Sequence, residues 1–345
     1  MRIGVLTAGG DAPGLNAAIR GIGQMALRDG HEVIGIANGW AGLVGEMAGR
    51  NLTAADLIGV VGQGGTLLGT ARYDLDRPAG GRDEVLATLT ENLDALIAIG
   101  GDGTQRISQW LSERGGPVVG VPKTLDNDLP GTDYCIGFDT AISFVAESLD
   151  RLHTTAASHH RVMVVETMGR TTGWVAAMGG LAGGADLIII PEFPLTMDEI
   201  LEHLAKRRSV GSAFSIVVIA EGINLATLGG HEAGELSSEG VRGVRLATRG
   251  VGQFLASRID EHGGFEVRTT VLGHLQRGGS PTAYDRIWAT RVGAAAYDAV
   301  VAGRFGTIPV VRGNEVVLTD LETVSTGQRR VPREFYDLCA AFFEV

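Results

Sequence analysis

Short apolar runs alternate with helix-period stretches along most of this chain, and that alternation constrains the fold more than any other feature. Residues 2–7, 32–37, 95–99 and 118–122 read as buried strands, and residues 14–28, 83–93 and 104–111 read as helices between them. Strands separated by helices pair in parallel, so the pattern predicts an α/β fold with mostly parallel sheets. After an amphipathic stretch at 138–157 the pattern restarts, with strands at 161–167, 185–190 and 214–220, each followed by helix-like sequence. A second α/β layer is expected there. A helix at 241–261, a strand at 266–272 and a helix at 285–302 can complete either half. The 345 residues suit two domains of about 150 residues each. No low-complexity linker separates the halves, which predicts more than one crossing of the chain between them.

Charge and composition remove several classes of function. A net charge of -11 argues against a general nucleic-acid or anionic-membrane surface, so a bound phosphate must be held by a local cluster of donors. Lysine occurs twice, at Lys123 and Lys206, and arginine carries the rest of the positive charge. Its planar fork suits bidentate phosphate contacts. Two cysteines, Cys135 and Cys339, are too few for a disulfide framework and fit a reducing cytoplasm. No apolar stretch approaches the roughly 20 residues of a membrane span. Residues 1–2 lead directly into a strand, so no signal peptide is expected.

Ligands of open parallel sheets sit beyond the carboxyl ends of the strands, and the polar loops of this chain fall at those ends. Pro122-Lys123-Thr124-Leu125-Asp126-Asn127-Asp128 follows the strand at 118–122. Alternate positions of an extended segment point the same way, so Thr124, Asp126 and Asp128 are expected to project together. Gly100-Gly101-Asp102-Gly103-Thr104 closes the strand before it. Two glycine-and-carboxylate loops at neighbouring strand ends suggest a phosphate, a divalent metal and a hydroxyl to be deprotonated. Gly9 and Gly10 open a further strand-to-helix loop, where backbone N–H groups can approach an anion; a tight turn capped by Asp11 would look the same. The loop is neither a dinucleotide fingerprint nor a Walker loop. Gly64 to Tyr73 has a similar character, with Arg72 available for a phosphate and Tyr73 for a base or for packing. Met168-Gly169-Arg170, Glu221, and His274 with Arg277 lie at three more strand ends. Any one of these is ordinary, but six together are not.

The ordered segments TAGGDAPGLN (7–16), GGDGT (100–104), PKTLDND (122–128), GTDYCIGFDTA (131–141), SHHRVMVVETMGR (158–170), AEG (220–222) and VLGHLQRGGSP (271–281) resemble the 6-phosphofructokinase family. The resemblance extends from residue 1 to about residue 302. GGDGT also occurs in NAD and diacylglycerol kinases, which lack the loop carrying Thr124, Asp126 and Asp128 and the paired segments around Arg170 and Arg277. The resemblance implies two Rossmann-like three-layer domains with the active site in the cleft between them. Residues 1–137 with about 250–302 would form the phosphoryl-donor domain, and 138–249 with about 303–345 the sugar-phosphate domain. It implies glycolytic phosphoryl transfer from ATP to the 1-hydroxyl of fructose 6-phosphate, with magnesium, in a cytoplasmic homotetramer or homodimer.

Site roles follow from the same resemblance. Asp126 matches the general base, Thr124 a hydroxyl beside the transferring group, Asp128 a supporting carboxylate, Asp102 the magnesium-associated carboxylate and Arg170 the arginine facing transition-state charge. Gly9, Gly10, Arg72, Tyr73, Gly101, Gly103 and Thr104 match the nucleotide side. Met168, Gly169, Glu221, His274 and Arg277 match the sugar-phosphate side, with Arg161 and Arg268 reaching in from a neighbouring subunit. A catalytically silent sugar-phosphate sensor would have little use for Asp102, Thr124, Asp126, Asp128 and Arg170 together. Sedoheptulose 7-phosphate presents a similar ketose end and is a second candidate acceptor.

Two departures bear on donor and regulation. ATP users of the family combine glycine at the positions of Gly103 and Lys123, whereas pyrophosphate users carry aspartate and lysine. This chain mixes the two. Gly103 leaves room for a nucleotide's α-phosphate and favours ATP, while Lys123 keeps pyrophosphate as the alternative donor. Relatives controlled by ADP and phosphoenolpyruvate line an effector site with basic residues. Arg20 is present here, but Gln24, His153, Val210 and Ser212 stand where positive charge is expected. A weak or lost effector site is the expectation.

Overall fold

The structure is a computed structural model that describes residues 1–77, 81–229 and 250–343. The chain divides into two compact units, Met1–Thr140 with Arg277–Arg329, and Ala141–Gln276 with Arg330–Val345.

The first unit opens with β1 (Arg2–Ala8), α1 (Leu15–Arg28), β2 (Glu32–Ile36), β3 (Gly49–Asn51), α2 (Gly81–Asn92), β4 (Ala95–Gly100), α3 (Asp102–Ser112) and β5 (Val118–Pro122). Every residue of β4 and β5 is buried. That is why these strands read as continuous apolar runs and not as alternating ones: helices cover both faces of a parallel sheet. Helix α4 (Phe138–His159) carries the chain into the second unit. There follow β6 (Val162–Thr167), α5 (Trp174–Ala182), β7 (Leu187–Ile189), α6 (Met197–Ser209), β8 (Ser215–Ala220), α7 (Val251–Gly263) and β9 (Val267–Val271). The chain then returns to the first unit with α8 (Ala283–Val301), β10 (Thr307–Arg312), β11 (Glu315–Asp320) and α9 (Leu321–Ser325), before α10 (Arg333–Ala340) closes the second.

Strand order in the first sheet is β11-β10-β5-β4-β1-β2-β3. From β1 the chain winds outward through β2, then recrosses to β4 and β5, so the switch point lies between β1 and β4. Ala8 pairs with Gly100 there, and Gly100 with Pro122. The ends of β1, β4 and β5 are thus side by side, which is where such sheets bind ligands. Helices α1 and α8 pack together, and they approach closely: a Cβ on Gly21 would lie 2.7 Å from Thr290 O, and one on Gly293 would lie 2.6 Å from Ala18 O.

The second sheet, β7-β8-β6-β9, is parallel throughout. Strand β6 lies between β8 and β9, with Thr167 paired to Ala220 and Glu166 to Val271. Helix α6 starts with a capping box, Thr196 Oγ1 accepting from Glu199 N and Glu199 Oε2 accepting from Thr196 N.

The expected domain boundaries need correction. Residues 250–276 belong to the second unit, because β9 pairs with β6, and residues 303–329 belong to the first, because β10 pairs with β5 and β11. The expected helix at 241–261 is α7 from Val251; residues 241–249 lie outside the described residues.

Candidate active site

In the first unit, short polar ties gather three loops around the glycine pair. Thr70 Oγ1 donates to Gly9 O at 2.7 Å, and Asn16 accepts from Leu67 N at 2.8 Å while its amide donates to Gln63 O at 3.1 Å. These bonds hold the segment leading to Arg72 and Tyr73 against Gly9 and Gly10. Lys123 is 3% exposed, and its ammonium donates to Ala8 O at 3.1 Å and to Gly10 O. Arg277 Nη1 donates to Asp11 O at 2.8 Å, and a Cβ on Gly10 would lie 2.7 Å from that nitrogen. Three carbonyls of one loop therefore turn towards two cations. Burial, with Arg277 nearby, pulls the Lys123 ammonium down to about 8. Arg277, expected on the sugar side, sits beside the glycine loop.

Asp102 is the first residue of α3, a place that favours negative charge, and pairs with Arg106 at i+4. A Cβ on Gly103 would meet no atom within 4 Å. Thr104 is buried beneath the loop. Gln105, not among the expected site residues, is also placed here: its buried Nε2 donates to Gly100 O at 2.8 Å and Val121 O at 3.0 Å, tying the ends of β4 and β5. Gln105 shares the buried face of α3 with Ser108 and Leu111, and no motif in the sequence singles it out.

Beyond β5 the chain turns instead of continuing extended. Thr124 and Asp126 do come together: Asp126 N donates to Thr124 Oγ1 at 3.1 Å, and Thr124 Oγ1 lies 3.4 Å from Asp126 Oδ2. Asn127 then takes a left-handed backbone, φ 51°, so Asp128 does not continue an alternating row. Gln328 Nε2 donates to the Asp128 carboxylate at 3.3 Å and Arg329 N to the Asp128 carbonyl at 2.8 Å. The Asn127 side chain accepts from Cys135 N at 2.9 Å and donates to Asp133 O at 3.3 Å. Those bonds fix the reversal. Asp126 and Asp128 are both buried.

In the second unit, β6 ends in a loop with two positive φ values, 147° at Gly169 and 55° at Arg170. Such a backbone is strained at arginine. Arg170 N donates to Glu221 Oε1 at 2.9 Å, so the ends of β6 and β8 share this loop. Met168 N donates to Gln276 Oε1 at 2.8 Å, bringing in the turn Gly273–Arg277 that carries the exposed His274. Glu166 accepts from Gly252 N at 2.7 Å. Burial pushes its carboxyl up, and the Glu221 charge adds to that. Arg161 and Arg268 meet on one carboxylate, Glu266, with Nη2 contacts of 2.6 and 2.7 Å. Glu266 is not among the residues expected from the sequence. Of the positions expected to lack effector charge, His153 is committed to Gly183 O at 3.0 Å and to the edge of Phe214.

The sequence profile of the phosphofructokinase family matches residues 2–300. The chain belongs to the phosphofructokinase family. An ATP-dependent 6-phosphofructokinase of Chloroflexus aggregans is 48% identical over 98% of this chain and 95% of its own length. A pyrophosphate–fructose 6-phosphate 1-phosphotransferase of Amycolatopsis methanolica is 45% identical over 99% of this chain and all of its own. A crystal structure of Pichia pastoris phosphofructokinase in the T-state is similar at a TM-score of 0.82 and 30% identity, over 99% of this chain and 36% of that one. Residues 100–104 are therefore the acidic glycine loop of a phosphofructokinase, and not that of an NAD or lipid kinase. Among the described residues of this phosphofructokinase, no helix is long and apolar enough to cross a membrane.

Proposed function

We propose that this phosphofructokinase transfers the γ-phosphoryl group of ATP to the 1-hydroxyl of fructose 6-phosphate. The observation that carries the choice of donor is the open space at Gly103, where a side chain would meet nothing within 4 Å. A nucleotide's α-phosphate can pass there. Lys123 does not argue for pyrophosphate as its residue type suggests, because its ammonium is already donated to Ala8 O and Gly10 O. It acts as a brace beneath the loop. Pyrophosphate remains the second reading, favoured by the 45% identity to a relative named for that donor.

Phosphoryl transfer asks chiefly for positioning and charge neutralisation. Asp126, hydrogen-bonded through its own N–H to Thr124, takes the proton of the sugar hydroxyl as general base. Thr124 orients the group in flight. Gly9, Gly10, Gly101 and Thr104 line the donor with backbone and hydroxyl donors, and Arg72 and Tyr73 flank it. Arg170, held by Glu221, faces the developing charge. Met168, Gly169, Glu221 and His274 hold the sugar phosphate, and Arg161 and Arg268 complete that site in a symmetric assembly.

Among the described residues no cluster of three metal-ligating side chains occurs. One carboxylate with open space beside it nonetheless suits magnesium, which binds through one or two carboxylates, substrate phosphates and water. Asp102 would hold it, with Asp128 in support, and the ion would neutralise charge on the donor phosphates. A donor panel tests the reading: purified protein with fructose 6-phosphate and ATP, other nucleotides, ADP or pyrophosphate. Turnover with ATP is expected; turnover with pyrophosphate and none with ATP rejects the steric argument from Gly103.

A further inference from the structure

A cavity of about 430 Å³ opens in the first unit, lined by Pro130, Gly131, Thr132, Asp133, Arg312 and Arg329. Two guanidiniums against one carboxylate give it a positive balance. Gly313 N already donates to the Asp133 carboxylate at 2.8 Å, which damps the one negative group. Arg312 is exposed at the end of β10, and its Nε reaches Gly131 O at 3.5 Å, the outer limit of a hydrogen bond. Its fork is available to an anion.

The opposite wall belongs to the loop of Asp126. Arg329 N donates to Asp128 O at 2.8 Å, and Arg329 Nη1 reaches Asn127 O at 3.4 Å. Asp133, also in the lining, accepts through its carbonyl from the Asn127 amide at 3.3 Å. Two lining residues thus hold Asn127, the left-handed residue between the two aspartates. The Arg329 to Asn127 bond is the long one, and a charged ligand competes well for a guanidinium.

We propose that this cavity binds a small phosphate-bearing anion between Arg312 and Arg329, and that the bound anion slows turnover by drawing Arg329 off the loop that carries Asp126. The coupling half rests on the reading of Asp126 as the base; the binding half does not. The cavity takes a phosphate or a short organic phosphate, and its walls act on the loop because a ligand that favours one arrangement of Arg329 shifts the loop with it.

Inorganic phosphate and, separately, phosphoglycolate are titrated at constant ionic strength with phosphoryl donor and fructose 6-phosphate both saturating, and kcat is read for the unmodified protein and for Arg312→Ala. The unmodified protein should lose about fivefold in kcat, the low end of allosteric couplings, while Arg312→Ala keeps its own. No loss in the unmodified protein, or the same loss in both, overturns the proposal. Phosphorus-31 line broadening of phosphate on an Asp126→Asn background, with fructose 6-phosphate and phosphoryl donor saturating the active site, reads binding to the cavity without turnover. Broadening that disappears with Arg312→Ala supports the site, and broadening that survives it rejects the site. If Asp126→Asn turns over normally, the reading of the base fails whatever the anion does. If that variant is inactive and kcat ignores the anion, the coupling alone fails.

Discussion

At the scale of single residues, Lys123 is a buried ammonium whose hydrogen-bond acceptors are carbonyl groups, and that sets a pH signature. Its folded value is about 8 against an ordinary 10.5. Between those values the unfolded chain holds a proton that the native chain lacks, so this residue makes stability rise with pH across that window and contributes no slope below it. The difference in unfolding free energy between the unmodified protein and Lys123→Met, from denaturant titrations at about pH 7 and about pH 9.5, should grow with pH; an unchanged difference removes the inference. Asp126→Asn should lower kcat by at least about 100-fold, the low end for a general base, with modest change in KM. Near-normal turnover of the folded variant would take Asp126 out of the role. Gly103→Asp should raise the KM for ATP by about tenfold, roughly 1.4 kcal/mol, and leave that for fructose 6-phosphate nearly unchanged, because the new carboxylate adds bulk and like charge beside the triphosphate. Equal changes in both constants would mean a general distortion.

At the scale of elements, the βα alternation was legible because buried parallel strands are continuous apolar runs, and β1, β4, β5, β6 and β8 lie where those runs are. Placing β9 and β10 was not possible from pattern, since what assigns them is pairing with β6 and β5, partners far away in sequence. The loop after β5 was legible in composition and misread in shape. Alternation predicted an extended row of Thr124, Asp126 and Asp128, whereas Asn127, one of the few residue types that accept positive φ, reverses the chain there. Arg161 and Arg268 were singled out without the carboxylate they share, because Glu266 carries no motif of its own. Asn127→Ala should cost about 2–5 kcal/mol, combining a buried N–H of Cys135 left unpaired with a left-handed alanine. Asn127→Gly should recover about 1 kcal/mol of this, the backbone part. Urea unfolding of the two variants checks it, and equal losses would place the whole cost in the side-chain bonds.

At the scale of the whole molecule, a sugar-phosphate site completed by Arg161 and Arg268 from a second copy requires an oligomer, and a tetramer of dihedral symmetry is expected. Mixing Asp126→Asn with Arg161→Ala protein should restore some activity through hybrid sites that carry neither lesion. Subunit exchange without restoration, or an active monomer by light scattering, would rule out shared sites. The return of the chain to its first sheet has another consequence, for biosynthesis. β5 is complete at Pro122, but its outer neighbour begins at Thr307, after the whole second sheet. At roughly 5–20 residues per second, the nascent first sheet waits on the order of ten seconds or more with one flank bare. A row of unpaired N–H and C=O groups on an apolar strand is a template for pairing with another chain. A ribosome-bound fragment ending before β10 is therefore the species that chaperones must shield, and crowded polysomes are where this fold is most exposed to misassembly.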